Sequence, residues 1–392
     1  MQNENEKKIT PLSVIDGKSL LALECEPPKF IISRILPTGL SLLSGSPKVG
    51  KSWLALWLSN QISKGLPVWE FATQKSAVLY LACQNPKCSC QNPKCMKFDQ
   101  SELKISNDKL SEFPADLNDA VCPMNAIQWE RNNKTPTIFA EHCINCGICA
   151  RRCPVGAIYS DGNSAAINCL ETDIDCVSTT DKNVAAHQTQ IDKFSLCKHV
   201  GSFFDITDDT IGSIYDKLRR QQTDAQFPNL IVRNMLIVLG NRCIIRRHGD
   251  VYFRIDAIAE NANTIGIVEV EFNKESLESP RAILDDIAVL SARYGISKEQ
   301  IKPFIVSLEF PNIRTEYWRV IKDINAVLGV KIHSLSLGAL CILTSCFSLM
   351  PIEMVDFYAD LDSASIKNGI KSLTKIETLE NISGRAIFEP QK

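Results

Sequence analysis

The sequence predicts a chain of several domains that belong to the α/β and α+β classes. Three observations support this. A glycine-rich loop near the N-terminus lies between a strand-like and a helix-like run, and a cysteine-rich segment follows it. Further on, residues 226–340 predict eight elements in the order α-β-β-β-α-β-α-β. The length of 392 residues fits two to four domains at about 150 residues each.

The composition, 45% apolar and 22% charged, is typical of a globular protein. No apolar run reaches the roughly 18 residues that span a bilayer, and the polar start MQNENEKKIT is unlike a secretory signal. We therefore expect a cytoplasmic protein with no membrane partner. The net charge of −2 argues against general coating by nucleic acid but leaves room for a local basic face. In a reducing cytosol, 16 cysteines indicate metal or cluster ligation instead of disulfides.

The glycine-rich loop GSPKVGKS follows the pattern G-x-x-x-x-G-K-[ST]. The run LSLLS before it predicts a strand, and WLALWLSNQI after it predicts a helix. Glycines at Gly45 and Gly50 let backbone N–H groups curl around phosphates. Lys51 supplies charge, and the Ser52 hydroxyl can hold Mg²⁺. We expect nucleotide-type phosphate binding here, and an inert Gly-Lys turn is the alternative.

This first predicted domain, residues 1–82, resembles the N-terminal part of RecA-like P-loop ATPases of the replicative-helicase type, over about residues 10–82. The resemblance implies a partial α/β unit that binds ATP. In that family the strand matching SAVLYLA is followed by an acidic residue and more sheet, including a strand that ends in a metal-holding Asp. Here cysteines follow, and SFFD, ending at Asp205, is a poor match for that strand. The resemblance thus supports nucleotide binding more than hydrolysis, and the fragment needs another segment or a partner to complete its sheet.

Cysteine spacing in the second predicted domain, residues 83–158, is that of iron–sulfur ligands. CINCGICARRCP follows C-x2-C-x2-C-x3-C-P, with cysteines at Cys143, Cys146, Cys149 and Cys153. Spacing of two lets three thiolates reach one cubane, and the fourth points to another cluster. An internal repeat supplies that other half, because Cys122-Pro-Met-Asn-Ala-Ile matches Cys153-Pro-Val-Gly-Ala-Ile.

The segment resembles a two-cluster bacterial ferredoxin module over about 75 residues. The resemblance implies that one [4Fe–4S] cluster is held by four thiolates, Cys122, Cys143, Cys146 and Cys149. Cys153 and three upstream cysteines would hold the second cluster. The upstream candidates come from the repeated hexapeptide CQNPKC, and we favour Cys88, Cys90 and Cys95 over Cys83. Their spacing, C-x4-C-x-C-x4-C, departs from the family, and a zinc site is the alternative there. The clusters can carry electrons or stabilise the fold.

The remaining cysteines and the connecting segment carry little chemical signal. Seven cysteines have no ligand spacing and are interpreted as structural or incidental: Cys25, Cys169, Cys176, Cys197, Cys243, Cys341 and Cys346. Residues 159–225 are rich in Ser, Thr, Asp and Asn and predict a linker with short strands. From residue 206, ITDDTIGSIYDKLRRQQ predicts a helix with the acidic start that a helix dipole favours.

The predicted core, residues 226–340, carries three carboxylates on neighbouring strands. Strand periodicity places Glu269 and Glu271 on one face of the third strand, and the hairpin brings Asp256 beside them. Carboxylates crowded together repel one another, and a divalent cation offsets that repulsion. Hard oxygen ligands suit Mg²⁺, which can activate water for attack on a phosphodiester.

This element order and these carboxylates resemble the PD-(D/E)XK superfamily, a restriction-endonuclease-like αβββαβ core. The resemblance implies a Mg²⁺-dependent DNA endonuclease in which Asp256 and Glu269 hold the metal. Glu271 takes the position of the family's lysine, as in some type II restriction enzymes, and would help activate water. Three arginines could meet DNA phosphates: Arg246, Arg247 and Arg254. A solvated acidic strand face and an inactive relic are the alternatives.

The last segment, residues 341–392, predicts a winged-helix-like domain that contacts DNA. LCILTSCFSLM, IEMVDFYADL and SASIKNGIKSLTKI predict three helices, and the tail predicts a hairpin around Ser383-Gly384. Lys367, Lys371 and Lys375 recur every four residues on one helix face, and Arg385 lies at the hairpin tip. Such a face fits a DNA groove, and an ordinary solvated face is the alternative.

The motifs favour an iron–sulfur DNA-processing protein, a phosphodiester hydrolase with an ATP-binding fragment. Its expected cofactors are two [4Fe–4S] clusters, Mg²⁺ and ATP, and its expected partners are DNA and a nucleotide. The alternative is a ferredoxin-type electron-transfer or redox-sensing protein with an inactive core. That alternative calls for a redox partner, and assembly with a second copy fits either function.

Overall fold

The fold is described from a computed structural model of the chain. It describes residues 29–38, 41, 43, 51–76, 78, 93–129, 136–153, 156–167, 203–204, 206–221, 223–250, 252–272, 278–358, 364–374, 382, 387–388 and 390. The chain forms two compact units, Met1–Gln84 and Asn85–Lys392. The division between them falls close to the predicted boundary after residue 82, and the other predicted boundaries all lie inside the second unit.

The first unit contains a short antiparallel pair and one long helix. Strands β1 (Phe30–Ile32) and β2 (Leu36–Pro37) pair, and helix α1 (Lys51–Lys64) confirms the helix predicted after the glycine-rich loop. Ile32, Ile62 and Val68 form its small buried core. Residues 44–50, most of LSLLS and most of VLYLA lie outside the described residues.

The cysteine-rich part of the second unit is built from short elements. Two 3₁₀ helices, Pro93–Met96 and Asp108–Leu110, come first. Two antiparallel pairs follow, β3 with β4 and β5 with β6, and helix α2 lies between the pairs. The bounds are Ile127–Gln128 for β3, Thr137–Ile138 for β4, Ile148–Arg152 for α2, Ile158–Ser160 for β5 and Ala165–Ile167 for β6. Helix α3 (Asp208–Arg220) comes next, as predicted, and begins with a capping box between Thr207 and Thr210.

The core of the second unit is a five-stranded mixed sheet with the order β11-β10-β9-β8-β7. Strands β7, β8 and β9 are antiparallel, and β9, β10 and β11 are parallel. The bounds are Phe227–Val238 for α4, Arg242–Ile245 for β7, Ala257–Asn261 for β8, Thr264–Glu271 for β9, Ser279–Tyr294 for α5, Ile301–Ser307 for β10, Glu316–Leu328 for α6 and His333–Ser336 for β11. This confirms the predicted order α-β-β-β-α-β-α-β.

Local sequence explains where the two crossover helices start and stop. Helix α5 has Pro280 in its first turn, where a missing N–H costs nothing. Both α5 and α6 end at glycines in the left-handed region, Gly295 with φ 63° and Gly329 with φ 66°. Parallel strands need such crossover connections, so these two helices account for the parallel half of the sheet.

One predicted boundary in the core differs from the structure. The segment DVYFRIDAIAE, residues 250–260, predicts the second strand, but β8 begins only at Ala257. The Asp250 carboxylate accepts hydrogen bonds from the amides of Tyr252 and Phe253, and this turn takes up the start of the segment. Asp256 therefore lies immediately before the strand instead of within it.

The C-terminal part departs further from the prediction. Helix α7 (Leu337–Ser345) follows β11 directly, and helix α8 (Ala364–Thr374) is confirmed. The helix predicted for IEMVDFYADL is wrong over residues 352–358, which form a turn and an extended stretch. The reason is tertiary, because the Phe357 amide donates to His333 Nδ1 and the Phe357 carbonyl accepts from the Ser334 amide. Most of the predicted hairpin, with Ser383, Gly384 and Arg385, lies outside the described residues.

One continuous hydrophobic core includes the cysteine-rich part, the sheet and helix α7. Helix α2 packs against both α4 and α7. Arg151 Nε donates to the Val238 carbonyl at 3.1 Å, at the end of α4. Among the helices of the described residues, none is long and apolar enough to cross a membrane.

Candidate functional site

The predicted carboxylates come together at one end of β9. Ala257 pairs with Val268, so Asp256 at the start of β8 lies next to Glu269. Two hydrogen bonds hold the Asp256 carboxylate. The Val270 amide donates to Oδ2 at 3.1 Å, and Asn229 Nδ2, from helix α4, donates to Oδ1 at 2.9 Å. The hairpin thus supplies the predicted convergence, and α4 supplies a support that the sequence did not indicate.

The electrostatics of this group are those of crowded, partly desolvated acids. Burial, followed by the charges of Asp256, Asp286 and Glu271, raises the pKa of Glu269 to about 8. Burial is also the first cause that raises the pKa of Asp256. In the described part of the chain, Glu269 forms no ion pair within 4.0 Å that would relieve this crowding.

A fourth acid, Asp286, was missed by the sequence analysis. It is buried on helix α5, which packs on β9 and β10. Burial, then the charge of Asp256, raises its pKa to about 7. The sequence does carry one sign of this burial, because Asp286 lies on the apolar helix face formed by Ile283, Ile287 and Leu290.

Arginine side chains lie near the four acids. The charge of Arg246 acts to lower the pKa of Asp256, Glu269 and Asp286. Arg246 is fixed from the other side, because its Nη1 donates to the Phe253 carbonyl at 3.0 Å. Arg254 is exposed and lies close enough to favour ionised Asp286. Arg247, the third predicted arginine, is exposed as well.

The donor set of this acidic group fits a hard cation. Across the described residues, no three Asp, Glu, His or Cys side chains are grouped closely enough to hold a metal ion by themselves. Mg²⁺ commonly takes one or two carboxylates and keeps several waters. Asp256 and Glu269 together meet that requirement, and no third protein ligand is needed.

Four of the predicted cluster thiols surround one small apolar pocket. Cys122 reaches it from a separate segment, Cys143 and Cys146 come from the loop before α2, and Cys149 lies in the first turn of α2. Burial raises the pKa of the Cys122, Cys146 and Cys149 thiols, and neighbouring thiols raise it further. Thiolates in such a pocket need a cationic partner, and iron would provide one.

Backbone amides point at these sulfurs. Cys143 Sγ accepts from the amides of Asn145 at 3.4 Å and Ala165 at 3.3 Å. Cys122 Sγ accepts from the Ala126 amide at 3.2 Å. Such donors stabilise the charged form of a sulfur ligand. The residues present therefore fit a [4Fe–4S] cluster with these four ligands.

The internal repeat found in the sequence is also a repeat in structure. Cys153 Sγ accepts from the Ala157 amide at 3.2 Å, as Cys122 does from Ala126. The residue before each alanine is left-handed, with φ 50° at Asn125 and φ 66° at Gly156. Each copy of the repeat then continues into a short strand, β3 after Cys122 and β5 after Cys153. The backbone thus presents Cys153 in the same way as Cys122.

Family models match two parts of the chain. The model described as a 4Fe-4S dicluster domain matches residues 119–157, and the model described as an AAA domain matches residues 5–91. The cysteine-rich part carries a 4Fe-4S dicluster domain of the ferredoxin type. The N-terminal unit carries an AAA domain, and no curated protein matches the chain.

Solved structures add little. A structure of restriction endonuclease FokI bound to DNA is 12% identical, with a TM-score of 0.28, and the match covers 51% of this chain and 38% of that one. A second FokI structure is also 12% identical, with a TM-score of 0.23, and covers 52% and 37%. The chain thus spans well under half of the FokI structures it matches, and a likeness at this level supports no conclusion about activity.

The predicted second set of cluster ligands lies mainly outside the residues that match the dicluster model. The AAA match extends to residue 91 and includes Cys83, Cys88 and Cys90, which are outside the described residues. Cys95 is partly buried in the first 3₁₀ helix, which packs against α2. Since α2 ends just before Cys153, Cys95 and Cys153 belong to neighbouring elements.

The predicted phosphate loop and the C-terminal basic face are described only in part. Lys51 is the first residue of α1, and Gly45, Gly50 and the Ser52 side chain lie outside the described residues. On α8, Ile366 and Ile370 are buried, as predicted for the apolar face. Lys367 and Lys371 are half-buried on the same helix, while Lys375 lies outside the described residues.

Proposed function

We propose that this chain is an iron–sulfur DNA-processing protein whose core is a Mg²⁺-dependent endonuclease. The observation that carries the proposal is the convergence of Asp256, Glu269 and Glu271 at one end of β9, with buried Asp286 beside them. Burying several acids together is costly unless a cation is present. Such an arrangement is therefore better explained by a metal site than by a solvated strand face.

The proposed roles follow from the geometry. Asp256 and Glu269 hold Mg²⁺, and Asn229 with the Val270 amide keeps the Asp256 carboxylate oriented. When bound, Mg²⁺ supplies an acidified water and stabilises charge on the leaving oxygen. Glu271, on the same face of β9, accepts a proton from the attacking water. Exposed Arg254 and Arg247 bind backbone phosphates of DNA.

The cofactors of the proposal are two [4Fe–4S] clusters and a nucleotide. The first cluster uses Cys122, Cys143, Cys146 and Cys149. The second uses Cys153 and three upstream cysteines, Cys88, Cys90 and Cys95. The loop around Gly45, Gly50, Lys51 and Ser52 binds ATP, and so many thiolate ligands suit a reducing, cytoplasmic setting.

The test is nicking of supercoiled plasmid with and without Mg²⁺, using protein purified without oxygen. Asp256→Ala and Glu269→Ala should each abolish Mg²⁺-dependent nicking and keep the brown cluster chromophore. Arg220→Ala, at the exposed end of α3, serves as a control variant that keeps full nicking. Nicking at the wild-type rate by both acidic variants would refute the endonuclease.

The match to a dicluster domain favours a second candidate, an electron carrier or redox sensor with an inactive core. This candidate predicts that Asp256→Ala behaves like the wild type in every assay. It also predicts that reduction of the clusters changes the activity of a partner protein. The two candidates are therefore separated by the same pair of variants.

A further inference from the structure

Helix α4 contacts the Cys122 segment through two buried polar side chains. Arg233 and Asn234 are both 0% exposed. Asn234 Nδ2 donates to the carbonyls of Ala120 at 3.0 Å and Val121 at 3.1 Å. Arg233 Nη2 donates to the Asn118 carbonyl at 2.6 Å. The bonded stretch is the one that leads directly into Cys122.

These side chains are also bonded to each other. Arg233 Nε donates to Asn234 Oδ1 at 3.1 Å, which fixes the orientation of the amide so that its nitrogen faces the Cys122 segment. Buried polar groups are costly unless hydrogen-bonded. The two hydrogen bonds that Asn234 Nδ2 donates both go to this one stretch of backbone, so burial of Asn234 stabilises that stretch.

Cys122 has a greater need for such support than its three partner thiols. Cys143, Cys146 and Cys149 lie on one short stretch that ends in the first turn of α2, whereas Cys122 arrives from a separate segment. After Cys122, the Ala126 amide bonds its sulfur. Before it, two backbone hydrogen bonds tie the stretch to residues 96–98, from the Phe98 amide to the Asp119 carbonyl at 2.7 Å and from the Val121 amide to the Met96 carbonyl at 3.1 Å. The side chains of α4 add three more bonds, to the carbonyls of Asn118, Ala120 and Val121.

We propose that Asn234, oriented by Arg233, is a positioning residue that places Cys122 as the fourth ligand of the first cluster. The inference rests on the proposed ligand set of Cys122, Cys143, Cys146 and Cys149. It means that the nuclease-like core completes the iron site from outside the dicluster domain. The cluster would then be stable against loss of iron only when α4 is in place.

The chemical consequence is loss of the iron atom that Cys122 binds. When that ligand is displaced, an oxidant converts [4Fe–4S]²⁺ to [3Fe–4S]⁺, releasing one Fe²⁺ and giving up one electron. Ferricyanide supplies the oxidising power in the assay and is reduced to ferrocyanide. The [3Fe–4S]⁺ product is paramagnetic and has its own electron paramagnetic resonance signal, which the parent [4Fe–4S]²⁺ cluster lacks.

The experiment compares Asn234→Leu with a matched control in the full chain. Asn241→Leu is that control, because Asn241 is also buried and its Nδ2 donates to two carbonyls, those of Leu236 and Met350, each at 3.0 Å. Cys122→Ser gives the reference signal for a first cluster without its fourth thiolate. Each protein is purified without oxygen, assayed for iron and sulfide, and treated with ferricyanide.

We expect Asn234→Leu to form [3Fe–4S]⁺ about tenfold faster than the wild type, since two buried hydrogen bonds are lost. Its signal should match that of Cys122→Ser, and Asn241→Leu should react at the wild-type rate. Equal rates for the two asparagine variants would overturn the inference. A wild type that contains no cluster would instead refute the ligand set itself. If Asn234→Leu does not fold, Asn234→Ser replaces it under the same criteria.

Discussion

At the scale of the residue, Glu269 makes the stability of the metal-free protein depend on pH. Its pKa in the folded chain is about 8, above the ordinary value of 4.5. The folded state therefore binds a proton more tightly than the unfolded state. This contribution is fully present below about pH 4.5 and is lost as the pH rises toward about 8, by up to about 1.4 kcal/mol per pH unit for one proton.

Denaturant unfolding measured over that pH range without Mg²⁺ checks this prediction. Glu269→Gln should have a shallower decline in its free energy of unfolding, because the neutral amide has no proton to lose. Asp286 adds a decline that ends near pH 7, so the variant keeps part of the slope. Identical slopes in the wild type and the variant would show that the Glu269 carboxyl is not crowded.

A second residue-scale prediction concerns Asp286. Asp286→Asn removes a charge that raises the pKa of Glu269, so that pKa should fall from about 8. Asp285→Asn is the matched control, since Asp285 is the exposed neighbour on the same helix and is not among the charges that raise the pKa of Glu269. Carbon-13 NMR of the glutamate carboxyls measures the pKa of Glu269 in both variants. An equal pKa of Glu269 in the two variants would show that the charge of Asp286 does not act on Glu269.

The acids differ in how far sequence could predict them. Asp256, Glu269 and Glu271 belong to one hairpin, so strand periodicity and pairing are enough to bring them together. Asp286 comes from a helix whose angle and depth against β9 are set by tertiary packing. No periodic pattern specifies that contact, and an acid on an apolar helix face is the only sign of it.

At the scale of the element, the core was predictable and the short connections were not. Helices α4, α5 and α6 have clear apolar periodicity and end signals, and their predicted positions hold. Residues 352–358 have a helix-like composition, but hydrogen bonds to His333 and Ser334 hold them extended. The helical preference of these residues is overridden because β11 offers the Ser334 amide and the His333 ring nitrogen, which only the folded chain brings close.

A third prediction tests how α7 packs on α3. A Cβ at Gly338 would lie 2.6 Å from Tyr215 Oη and 3.1 Å from Ile211 Cγ2. Gly338→Ala normally gains up to about 1 kcal/mol in a helix. Overpacking costs about 1–3 kcal/mol, and here it should dominate because Tyr215 is fully buried.

The double variant Gly338→Ala with Tyr215→Phe provides the control. Removing the phenol oxygen relieves the closest contact, so the double variant should be less destabilised than the sum of the two single changes. Denaturant midpoints of the four proteins give this coupling. Strict additivity would mean that α7 moves away from α3 at little cost.

At the scale of the whole molecule, the first cluster site and the sheet belong to one hydrophobic core. Cys143, Cys146 and Cys149 pack in the same buried cluster as β7 to β11. Helix α4 forms hydrogen bonds to both sites. Asn229 donates to the Asp256 carboxylate, and Asn234 donates to the backbone just before Cys122. The dicluster domain is therefore packed into the core of the second unit and contributes to its stability.

This shared core leads to the last prediction. Loss of the Cys122 thiolate from the first cluster, in Cys122→Ser, should lower the free energy of unfolding of the second unit by about 3 kcal/mol, the size expected when a cross-link over a short loop is lost. Nicking should fall with it, because α4 loses support next to Asn229. The first unit, Met1–Gln84, should keep its nucleotide affinity, and Lys51→Ala should weaken that affinity in either background.

Thermal unfolding followed by circular dichroism measures the stability, and fluorescent ATP analogues measure the binding. EDTA is the matched treatment, since it removes Mg²⁺ and abolishes nicking but leaves the buried thiolates ligated. EDTA should remove the nicking activity alone, whereas Cys122→Ser should lower both the nicking activity and the stability. If Cys122→Ser unfolds at the wild-type temperature and nicks at the wild-type rate, then the iron site and the carboxylate site are independent, despite the helix they share.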